Sequence, residues 1–480
     1  MRAPLLQLSL LLLVSGVAGA QSIRVDGVFD DWVDGAHAVE PAPENGPTPH
    51  LREVRMAATA DRIAFLLDLS GEAHAAELER VEFLFDTDDD PATGQAIHGI
   101  GADVQWSLGS GEGTAWILGV PVRAGPGSFG LRRAPTVSSP RFEVSFARSA
   151  RVAGGGIFPD RAMTVMVRDG ASRHSPPLRV PAAAECPPGT RPRPASLARR
   201  DPAHLRVLTF NVLFDGLFKR TDAFGRILRA IDPDVILFQE IYNHSAEQTR
   251  DLLREMLPGS TWHAVGGGCA VLASRVAIED FGSTGSERKG QWMKLASPGP
   301  VWSVGPVVLN PHPPCCENES GRQQELDRAI AWLRDARAGG RLPSGAPVIV
   351  GGDLNLVGHS RQLRTLLEGT IGDEAAAGPS FPPDPDGTAL ADVAPYHAAG
   401  AENYTWRSDE SPFAPGRLDF LLYSDSVLGV GNSFVLWTPE LGAAERDALG
   451  LEASDTAIAS DHLPVVADFF PITMPRAGRD

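Results

Sequence analysis

Hydrophobic and polar positions follow two different patterns along the chain, and the change falls near residue 180. Before it, short apolar runs such as 63–69, 81–85 and 142–146 are separated by turns rich in Gly, Pro and Asp. Runs of this length between such turns predict β-strands. Because helical patterns are scarce there, residues 21–180 are predicted to form an all-β sandwich.

The second half of the chain has an α/β pattern, because apolar strand runs alternate with amphipathic helices. Strands are predicted at 207–210, 235–238, 304–309, 348–350, 418–423 and 465–469. Helices are predicted at 222–231 and 323–338, and Ser245 with Gln248 forms a capping box for another helix. Residues 204–472 are therefore predicted to form one α/β domain.

The boundary between the two patterns is a segment of unusual composition. Residues 181–203 are rich in proline and arginine and have almost no apolar periodicity. This composition predicts an extended linker between two domains. Residues 473–480 are predicted to form a tail after the second domain.

Residues 1–20 have the organisation of a secretory signal peptide, with Arg2, an apolar run and the small residues 18–20 at its end. The mature chain is expected to begin near Gln21 and to be secreted, either extracellular or periplasmic. An uncleaved N-terminal anchor is the alternative, although the apolar run is short for a bilayer of about 30 Å. No later apolar stretch is long enough to span a membrane, so no transmembrane segment is expected in the mature chain.

The cysteines fit no common zinc-site spacing; they are Cys186, Cys269, Cys315 and Cys316. Because export permits disulfides, we interpret them as covalent staples rather than metal ligands. Four cysteines allow three full pairings, which the sequence cannot rank. The adjacent Cys315 and Cys316 would more naturally reach two different partners than each other.

The formal net charge of −17 argues against broad electrostatic capture of nucleic acid. Contacts of Lys and Arg with phosphates supply most binding of that kind. The charge does not exclude a nuclease, because a bound divalent cation supplies positive charge locally while its acidic ligands add to the negative total.

An acidic run in the N-terminal segment offers oxygen ligands. Asp86, Asp88 and Asp90 follow an apolar strand, and several carboxylate and carbonyl oxygens on one turn suit Ca²⁺. The alternative is a solvated β-turn. Trp106 and Trp116 are candidates for stacking on sugar rings, although tryptophans in a sandwich are more often core residues.

Short motifs recur through the same segment. They are Val25-Asp26-Gly27 before Asp31-Trp32, the run 85–90 with Thr93-Gly94, and Gly101-Ala102-Asp103. On these motifs the segment resembles the sugar-binding sandwiches related to carbohydrate-binding family 9 and the DOMON domains. The resemblance implies a polysaccharide ligand and a binding or tethering role more than catalysis.

Polar side chains end the predicted strands of the second segment. They are Asn211, Glu240, His312, Asp353 with Asn355, Asp419, and Asp461 with His462. One such residue alone is usually a turn former or a satisfied polar group. Together they would place many costly polar groups at one sheet rim, which predicts a metal or a phosphate there.

In their order along the chain, these residues resemble the endonuclease/exonuclease/phosphatase superfamily, which is DNase I-like. The matching motifs are Thr209-Phe210-Asn211-Val212, Phe238-Gln239-Glu240, Asn310-Pro311-His312, Gly351-Gly352-Asp353-Leu354-Asn355, Arg417-Leu418-Asp419-Phe420 and Ser460-Asp461-His462. The resemblance spans residues 204–472. It implies a four-layer α/β sandwich and a hydrolase that acts on phosphoric ester bonds.

The resemblance also implies a metal and a group that positions water. Glu240, with Asn211 beside it, fits the site for Mg²⁺ or Mn²⁺, and Asp461 is similar to a residue that holds the metal or its waters. The metal would neutralise the anionic ester so that water can attack. Asp353 and Asn355 would position water and phosphate, with Asp353 as general base.

For the imidazoles, the resemblance implies that Asp419 orients His462 through a ring nitrogen. His462 would act either as a base or as a cationic clamp on the phosphate, and the sequence does not choose between these roles. His312 would donate to a non-bridging oxygen. A histidine at this position leans toward DNase I, sphingomyelinase or phosphatase relatives and away from AP endonucleases.

The leading hypothesis is hydrolysis of phosphoric ester bonds outside the cell, with DNA or RNA as the first substrate. A phospholipid such as sphingomyelin, or an inositol or sugar phosphate, is the alternative. Candidate cations for tracking phosphates are Arg220, Arg275, Arg288, Lys289, Arg322, Arg407 and Arg417. A hypothesis of another class is a non-catalytic binding or adhesion protein, and a further one treats the sandwich as a spacer.

Overall fold

The computed structural model describes residues 23–32, 37–39, 49–189, 196–285 and 290–472. The predicted signal peptide, the predicted tail, and Arg288 with Lys289 lie outside the described residues. No helix in the described part of the chain is both long enough and apolar enough to cross a bilayer.

The N-terminal domain is built almost entirely of strands. They are β1 (His37–Ala38), β2 (Leu51–Ala58), β3 (Arg62–Ala73), β4 (Val81–Asp86), β5 (Gln95–Ile97), β6 (Ile100–Ala102), β7 (Val104–Ser107), β8 (Gly113–Ile117), β9 (Val120–Ala124), β10 (Arg132–Ala134), β11 (Ser139–Ala147), β12 (Arg151–Val152), β13 (Gly155–Gly156), β14 (Met163–Asp169), β15 (Arg173–His174) and β16 (Leu178–Val180). One sheet has the order β1-β2-β3-β11-β10, and the other has the order β15-β14-β4-β7-β8-β9 with β16 paired to β14. The predicted all-β sandwich is confirmed.

Aromatic rings fill the space between these two sheets. Phe65 and Phe146 come from one sheet and Phe83 and Phe85 from the other, with contacting ring centroids 4.9–6.2 Å apart. Phe83 and Phe85 share a face because side chains alternate along a strand. Trp106 is 1% exposed and packs in the same core, so it is a core residue and not a sugar platform.

The C-terminal domain alternates strands and helices. Its strands are β17 (Leu205–Asn211), β18 (Val235–Gln239), β19 (His263–Gly267), β20 (Ala270–Ser274), β21 (Ile278–Ser283), β22 (Gly290–Leu295), β23 (Val307–Pro311), β24 (Val348–Asp353), β25 (Ala391–Asp392), β26 (Asp419–Tyr423), β27 (Leu428–Val435) and β28 (Val465–Pro471). The helices of the described residues are α1 (Pro126–Phe129), α2 (Gly216–Lys219), α3 (Thr221–Ile231), α4 (Ala246–Met256), α5 (Glu319–Ala338), α6 (Arg361–Glu368), α7 (Glu374–Ala377), α8 (Ala443–Leu449) and α9 (Asp455–Ala459). Among these described helices, α1 belongs to the first domain.

Two six-stranded sheets pack face to face between layers of helices. Their orders are β19-β20-β18-β17-β28-β27 and β21-β22-β23-β24-β26-β25. Leu237 and Ile349 belong to the core between the sheets, whereas α3 and α4 cover the outer face of the first sheet and α5 and α6 that of the second. The predicted four-layer, DNase I-like α/β sandwich is confirmed.

Local signals set the helix starts. The predicted capping box forms, because Ser245 Oγ accepts from Gln248 N–H at 3.2 Å and Gln248 Oε1 accepts from Ser245 N–H at 2.8 Å. Helix α5 begins at Glu319, earlier than predicted, because Asn318 Oδ1 accepts from Gly321 N–H at 3.0 Å. An amide cap of this kind satisfies a donor that the first turn leaves free.

Strand direction brings the polar strand ends to one edge of the domain. β17 runs parallel to β18, and β23 runs parallel to β24, so the residues that follow these strands lie at the same edge. β26 and β28 are antiparallel to β24 and β17 and begin at that edge. The sheets therefore collect side chains that are far apart in the sequence.

The two domains are in direct contact beside this edge. Ser138 of the sandwich donates its N–H to Gly358 O at 2.9 Å, and its Oγ accepts from Ser360 N–H at 2.9 Å. Tyr396 Oη donates to Asp26 Oδ2 at 2.5 Å. The sandwich thus braces the loop that follows β24.

The ends of the predicted linker pack against the domains on either side. Pro187 O accepts from Ala60 N–H at 3.0 Å, and Leu197 is buried in the core of the second domain. Arg199 forms an ion pair with Asp234. These contacts attach both ends of the segment.

All four cysteines lie in the described part of the chain, and all are free. The interpretation of these residues as disulfide staples is wrong for this structure. Cys269 is buried beside a histidine of the candidate site, whereas Cys315 and Cys316 are exposed in the loop after β23. That loop carries Pro313 and Pro314, which end the strand because proline cannot donate to a sheet ladder.

Candidate active site

Asp353, the last residue of β24, lies at the centre of the polar edge. It is 2% exposed, and its Oδ2 accepts from Asn211 Nδ2 at 2.9 Å. The same Asn211 amide donates to Glu240 Oε1 at 3.1 Å. Glu240 follows β18 of the first sheet, and Asp353 ends β24 of the second sheet. The Asn211 side chain, at the end of β17, therefore connects a carboxylate of each sheet.

Two imidazoles flank the Asp353 carboxylate. His312 Nε2 lies 3.3 Å from Asp353 Oδ2, and His462 Nε2 lies 3.7 Å from the same oxygen. On the far side of each ring, His462 Nδ1 lies 2.9 Å from Asp419 Oδ2 and His312 Nδ1 lies 2.9 Å from Cys269 Sγ. Each ring therefore has a polar partner near both of its nitrogens.

The charges of this group are strongly coupled. Burial alone would lower the pKa of both imidazoles. For His312 the hydrogen bonds with Asp353 and Cys269 outweigh burial, and for His462 the charges of Asp419 and Asp353 do, so that each pKa rises to about 10. Burial would raise the pKa of Asp353, but the nearby imidazoliums and the Asn211 hydrogen bond lower it to about 2. Both rings are therefore cationic and Asp353 is anionic at neutral pH.

Glu240 and Asn355 adopt left-handed backbone conformations, with φ of 65° and 50°. Non-glycine residues rarely adopt such angles, and the strain is commonly found at functional sites. The conformation of Asn355 is held by hydrogen bonds from its N–H to Asp353 Oδ1 at 3.0 Å and from its Nδ2 to Pro313 O at 3.0 Å. The strained positions therefore coincide with predicted site residues.

The segment between β25 and β26 supports two carboxylates. They are Asp419, which begins β26, and Asp461, which precedes β28. Thr405 Oγ1 accepts from Asp419 N–H at 2.9 Å, and Trp406 Nε1 donates to Asp461 Oδ2 at 2.9 Å. The other oxygens, Asp419 Oδ1 and Asp461 Oδ1, are buried without a hydrogen-bond partner. Thr405 and Trp406 therefore support two carboxylates of the site.

Several site neighbours carry signals that sequence reasoning did not use. Gln239 Nε2 donates to Asn310 Oδ1 at 2.8 Å, and both side chains are fully buried between the sheets. Gln239 is the last residue of β18 and Asn310 the last but one of β23, so a polar residue near the end of each apolar strand was the available signal. Cys269 was missed as a site neighbour because the expectation of export favoured a disulfide instead.

Acidic side chains converge in two places among the described residues. Asp353, Asp419 and His462 offer ligand atoms within 4.8 Å of one another, and so do Asp86, Asp88 and Asp103 in the sandwich. Glu240 and Asp461 lie outside the first group. Asp90, which the predicted calcium set included, lies outside the second group, and its Oδ1 accepts from Ala92 N–H at 2.9 Å.

The predicted phosphate-tracking arginines are mostly engaged in the protein. Four form ion pairs: Arg275 with Asp232, Arg322 with Glu319, Arg407 with Asp409, and Arg417 with Asp392. Arg220 donates to the backbone oxygens of Val212 and Leu213. A positively charged track along the site is therefore not formed by these side chains.

An exposed aromatic pair stands beside Glu240. Phe214 and Tyr242 are 61% and 43% exposed, with ring centroids 5.9 Å apart. Phe214 N–H donates to Glu240 Oε2 at 2.9 Å, which fixes the pair at the rim of the site. Exposed aromatic faces can stack on nucleobases or enter a lipid headgroup layer.

Residues 208–462, more than half of the chain, match the Endonuclease/Exonuclease/phosphatase family. The chain belongs to this family and is a hydrolase that acts on phosphoric ester bonds. A search of curated proteins found no match.

Solved structures are similar to this chain at low sequence identity. Truncated Caenorhabditis elegans TDP2 is 19% identical, covering 56% of this chain and 97% of its own, with a TM-score of 0.37. The human Nocturnin catalytic domain is 16% identical, covering 58% and 100%, with a TM-score of 0.36. The 3′ phosphatase NExo from Neisseria, bound to a product DNA hairpin, is 18% identical, covering 55% and 99%, with a TM-score of 0.37.

Proposed function

We propose that the protein is a secreted, divalent-metal-dependent phosphodiesterase that hydrolyses DNA or RNA. The observation that carries the proposal is the chain of contacts from Glu240 through Asn211 to Asp353, with a cationic imidazole on each side of Asp353. A phosphodiester needs compensation of its negative charge and a positioned water, and this group of residues has both capacities.

The donor set fits a hard divalent cation. Glu240 and Asp461 offer carboxylate oxygens, and Asp461 Oδ1 is buried without a partner. Oxygen-only ligands suit Mg²⁺ or Mn²⁺, which keep several waters. Asn211 Oδ1 accepts from Leu213 N–H at 3.0 Å, so its amide supports Glu240 from the side. A bound ion would neutralise phosphate charge and lower the pKa of water.

The imidazoles act as cationic clamps in this proposal. Since the pKa of His312 and of His462 is raised to about 10, both rings are protonated at neutral pH and donate to non-bridging phosphate oxygens. Asp353 stays ionised and orients the attacking water, and its low pKa makes placement its main contribution. Of the two roles left open for His462, the clamp is the one that this charge state favours.

Nucleic acid is the favoured substrate because of the pair formed by Phe214 and Tyr242. Base stacking on aromatic rings is independent of base sequence and does not require the free arginines that this site lacks among its described residues. Phospholipids such as sphingomyelin are the second candidate, since exposed aromatics also enter headgroup layers. A polysaccharide ligand of the sandwich and secretion through residues 1–20 stay predictions.

Removal of divalent metal is expected to abolish hydrolysis of plasmid DNA, sphingomyelin, inositol phosphates and bis-p-nitrophenyl phosphate alike. EDTA should reduce activity to background, and added Mg²⁺ or Mn²⁺ should restore it. Glu240→Gln is expected to weaken the apparent affinity for Mg²⁺ by about 10- to 100-fold, because one charged ligand is lost. Glu279→Gln, an exposed partner of Lys294, is the control. Activity that resists EDTA would contradict metal dependence.

Loss of the aromatic pair is expected to separate the substrate classes. Phe214→Ala and Tyr242→Ala should each raise KM for single-stranded oligonucleotides by about 5- to 100-fold, because stacking contributes about 1–3 kcal/mol per base. The effect on bis-p-nitrophenyl phosphate should be smaller. Phe281→Ala is the control, because it removes another exposed aromatic residue, on β21, which is 57% exposed. Unchanged oligonucleotide KM with weaker binding to sphingomyelin vesicles would favour the phospholipid alternative.

A further inference from the structure

Three carboxylates of the N-terminal sandwich converge beside the end of β4. Asp86 is the last residue of β4, Asp88 lies in the following loop, and Asp103 lies between β6 and β7. One ligand oxygen of each lies within 4.8 Å of the others. Asp103 joins the group because its N–H donates to Phe85 O at 2.8 Å, which ties this later residue to the end of β4.

Asp86 has an unsatisfied oxygen in this cluster. The residue is 4% exposed, and its Oδ2 accepts from Gly101 N–H at 3.1 Å. Its Oδ1 is buried and accepts no hydrogen bond. Burial raises the pKa of Asp86. A buried carboxylate oxygen without a partner is costly, so the position calls for a cation.

The other two carboxylates are held in place by local hydrogen bonds. Asp103 Oδ2 accepts from Thr87 N–H at 2.8 Å and from Thr87 Oγ1 at 2.9 Å. Asp88 Oδ1 accepts from Thr93 Oγ1 at 2.9 Å. Because these contacts orient both side chains before any ligand arrives, little ordering would be needed on binding.

The backbone leaves space at this cluster. Gly94 has a φ of 62°, and a Cβ at this position would lie 2.8 Å from Asp103 Oδ1 and 2.4 Å from Ala102 O. A side chain there would push against the carboxylate, so glycine is required for the close approach. The loop between β4 and β5 is therefore shaped around Asp103.

We propose that Asp86, Asp88 and Asp103 bind one Ca²⁺ ion in the sandwich. All three supply hard oxygen ligands, and Ca–O distances of about 2.3–2.6 Å let one ion join oxygens up to about 5 Å apart. Mg²⁺ requires shorter distances and near-octahedral geometry, which an open group of three carboxylates does not impose. The ion joins the end of β4, the loop after it and the start of β7 at one point.

Calcium binding to the metal-free, full-length protein, measured by isothermal titration calorimetry with Mg²⁺ in excess, tests this site. Asp103→Asn is expected to bind one Ca²⁺ fewer than the wild type or to bind it at least about 10-fold more weakly. Asp90→Asn is the matched control and is expected to keep the wild-type stoichiometry. The unfolding temperature of the wild type should rise with Ca²⁺ more than that of Asp103→Asn.

Asp103 is half-buried and lies outside the aromatic core, so Asp103→Asn is expected to fold. A substitution of the more deeply buried Asp86 could unfold the domain and is therefore not used. Equal Ca²⁺ stoichiometry and affinity in Asp103→Asn and the wild type would overturn the proposal. An equal loss in Asp90→Asn and Asp103→Asn would also overturn it, because the ion would then follow the acidic loop as a whole. Hydrolysis of phosphoesters plays no part in either outcome.

Discussion

Asp353→Asn is expected to lower kcat for phosphoester hydrolysis by about 10³- to 10⁴-fold while the protein stays folded. The substitution keeps the size of the side chain but removes the charge that lies between two imidazoles. Asp353 Oδ2 is the atom nearest to His312, His462 and Asn211 at once. No other described carboxylate makes these three contacts, so its loss removes both the placement of water and the order of the rings.

A matched control separates the chemistry from the effect of changing any buried aspartate. Asp384→Asn is the control, because Asp384 is as deeply buried as Asp353. Burial raises the pKa of the Asp384 carboxyl, which accepts a hydrogen bond from Ser426 N–H. Ser426 follows β26 at the end opposite Asp419, far along the strand from the site. Asp384→Asn should change kcat less than about 10-fold. Equal losses of activity in both variants would remove Asp353 from its assigned role.

The fold class of each domain, all-β and α/β, could be predicted from local patterns, whereas the four-layer arrangement of the second domain came from the family resemblance. Alternating apolar runs separated by Gly, Pro and Asp predicted the sandwich, and polar groups after apolar strands predicted the edge where Asn211, Glu240 and Asp353 meet. A strand end is defined by a few neighbouring residues, and parallel strands then bring such ends together. These residues were accessible from the sequence for that reason.

Contacts made by a change of chain direction could not be predicted in the same way. Asp103 replaces Asp90 in the acidic cluster because the hairpin of β5 and β6 returns the chain to the end of β4. Cys269 meets His312 because β20 and β23 belong to different sheets that pack together. Spacing along the chain carries no signal for such pairs, since tertiary packing alone creates them.

The contact between the domains is a further case. Ser138 bonds to Gly358 and Ser360, and Asp26 bonds to Tyr396, although composition predicted only an extended linker between independent units. The sandwich therefore touches the loop that begins shortly after Asn355. A domain expected only to bind or tether also supports the segment that carries a site residue.

His462→Ala is expected to lower kcat/KM by about 10³-fold, and the pH profile should reveal why. Because the pKa of His462 is raised to about 10, the ring stays cationic well above the usual histidine pKa and loses its proton only as the pH rises through about 10. The wild-type kcat/KM should therefore show no loss from this group between pH 6.5 and about 9, and should fall above that range.

Asp419→Asn should move this alkaline fall toward the ordinary histidine pKa of about 6.5, because the Asp419 charge contributes strongly to the upward shift of the His462 pKa. At pH 8 the variant should lose up to about 30-fold in kcat/KM, because a pKa near 6.5 leaves about 3% of the rings protonated, and it should recover most of this loss at pH 6. His204→Gln, which changes a ring stacked on Phe470 at the opposite end of β17, should leave the profile unchanged. A wild-type activity that rises as the pH passes through 6–7, with a rise that is absent from the residual activity of His462→Ala, would identify His462 as a base, since only the neutral ring can accept a proton.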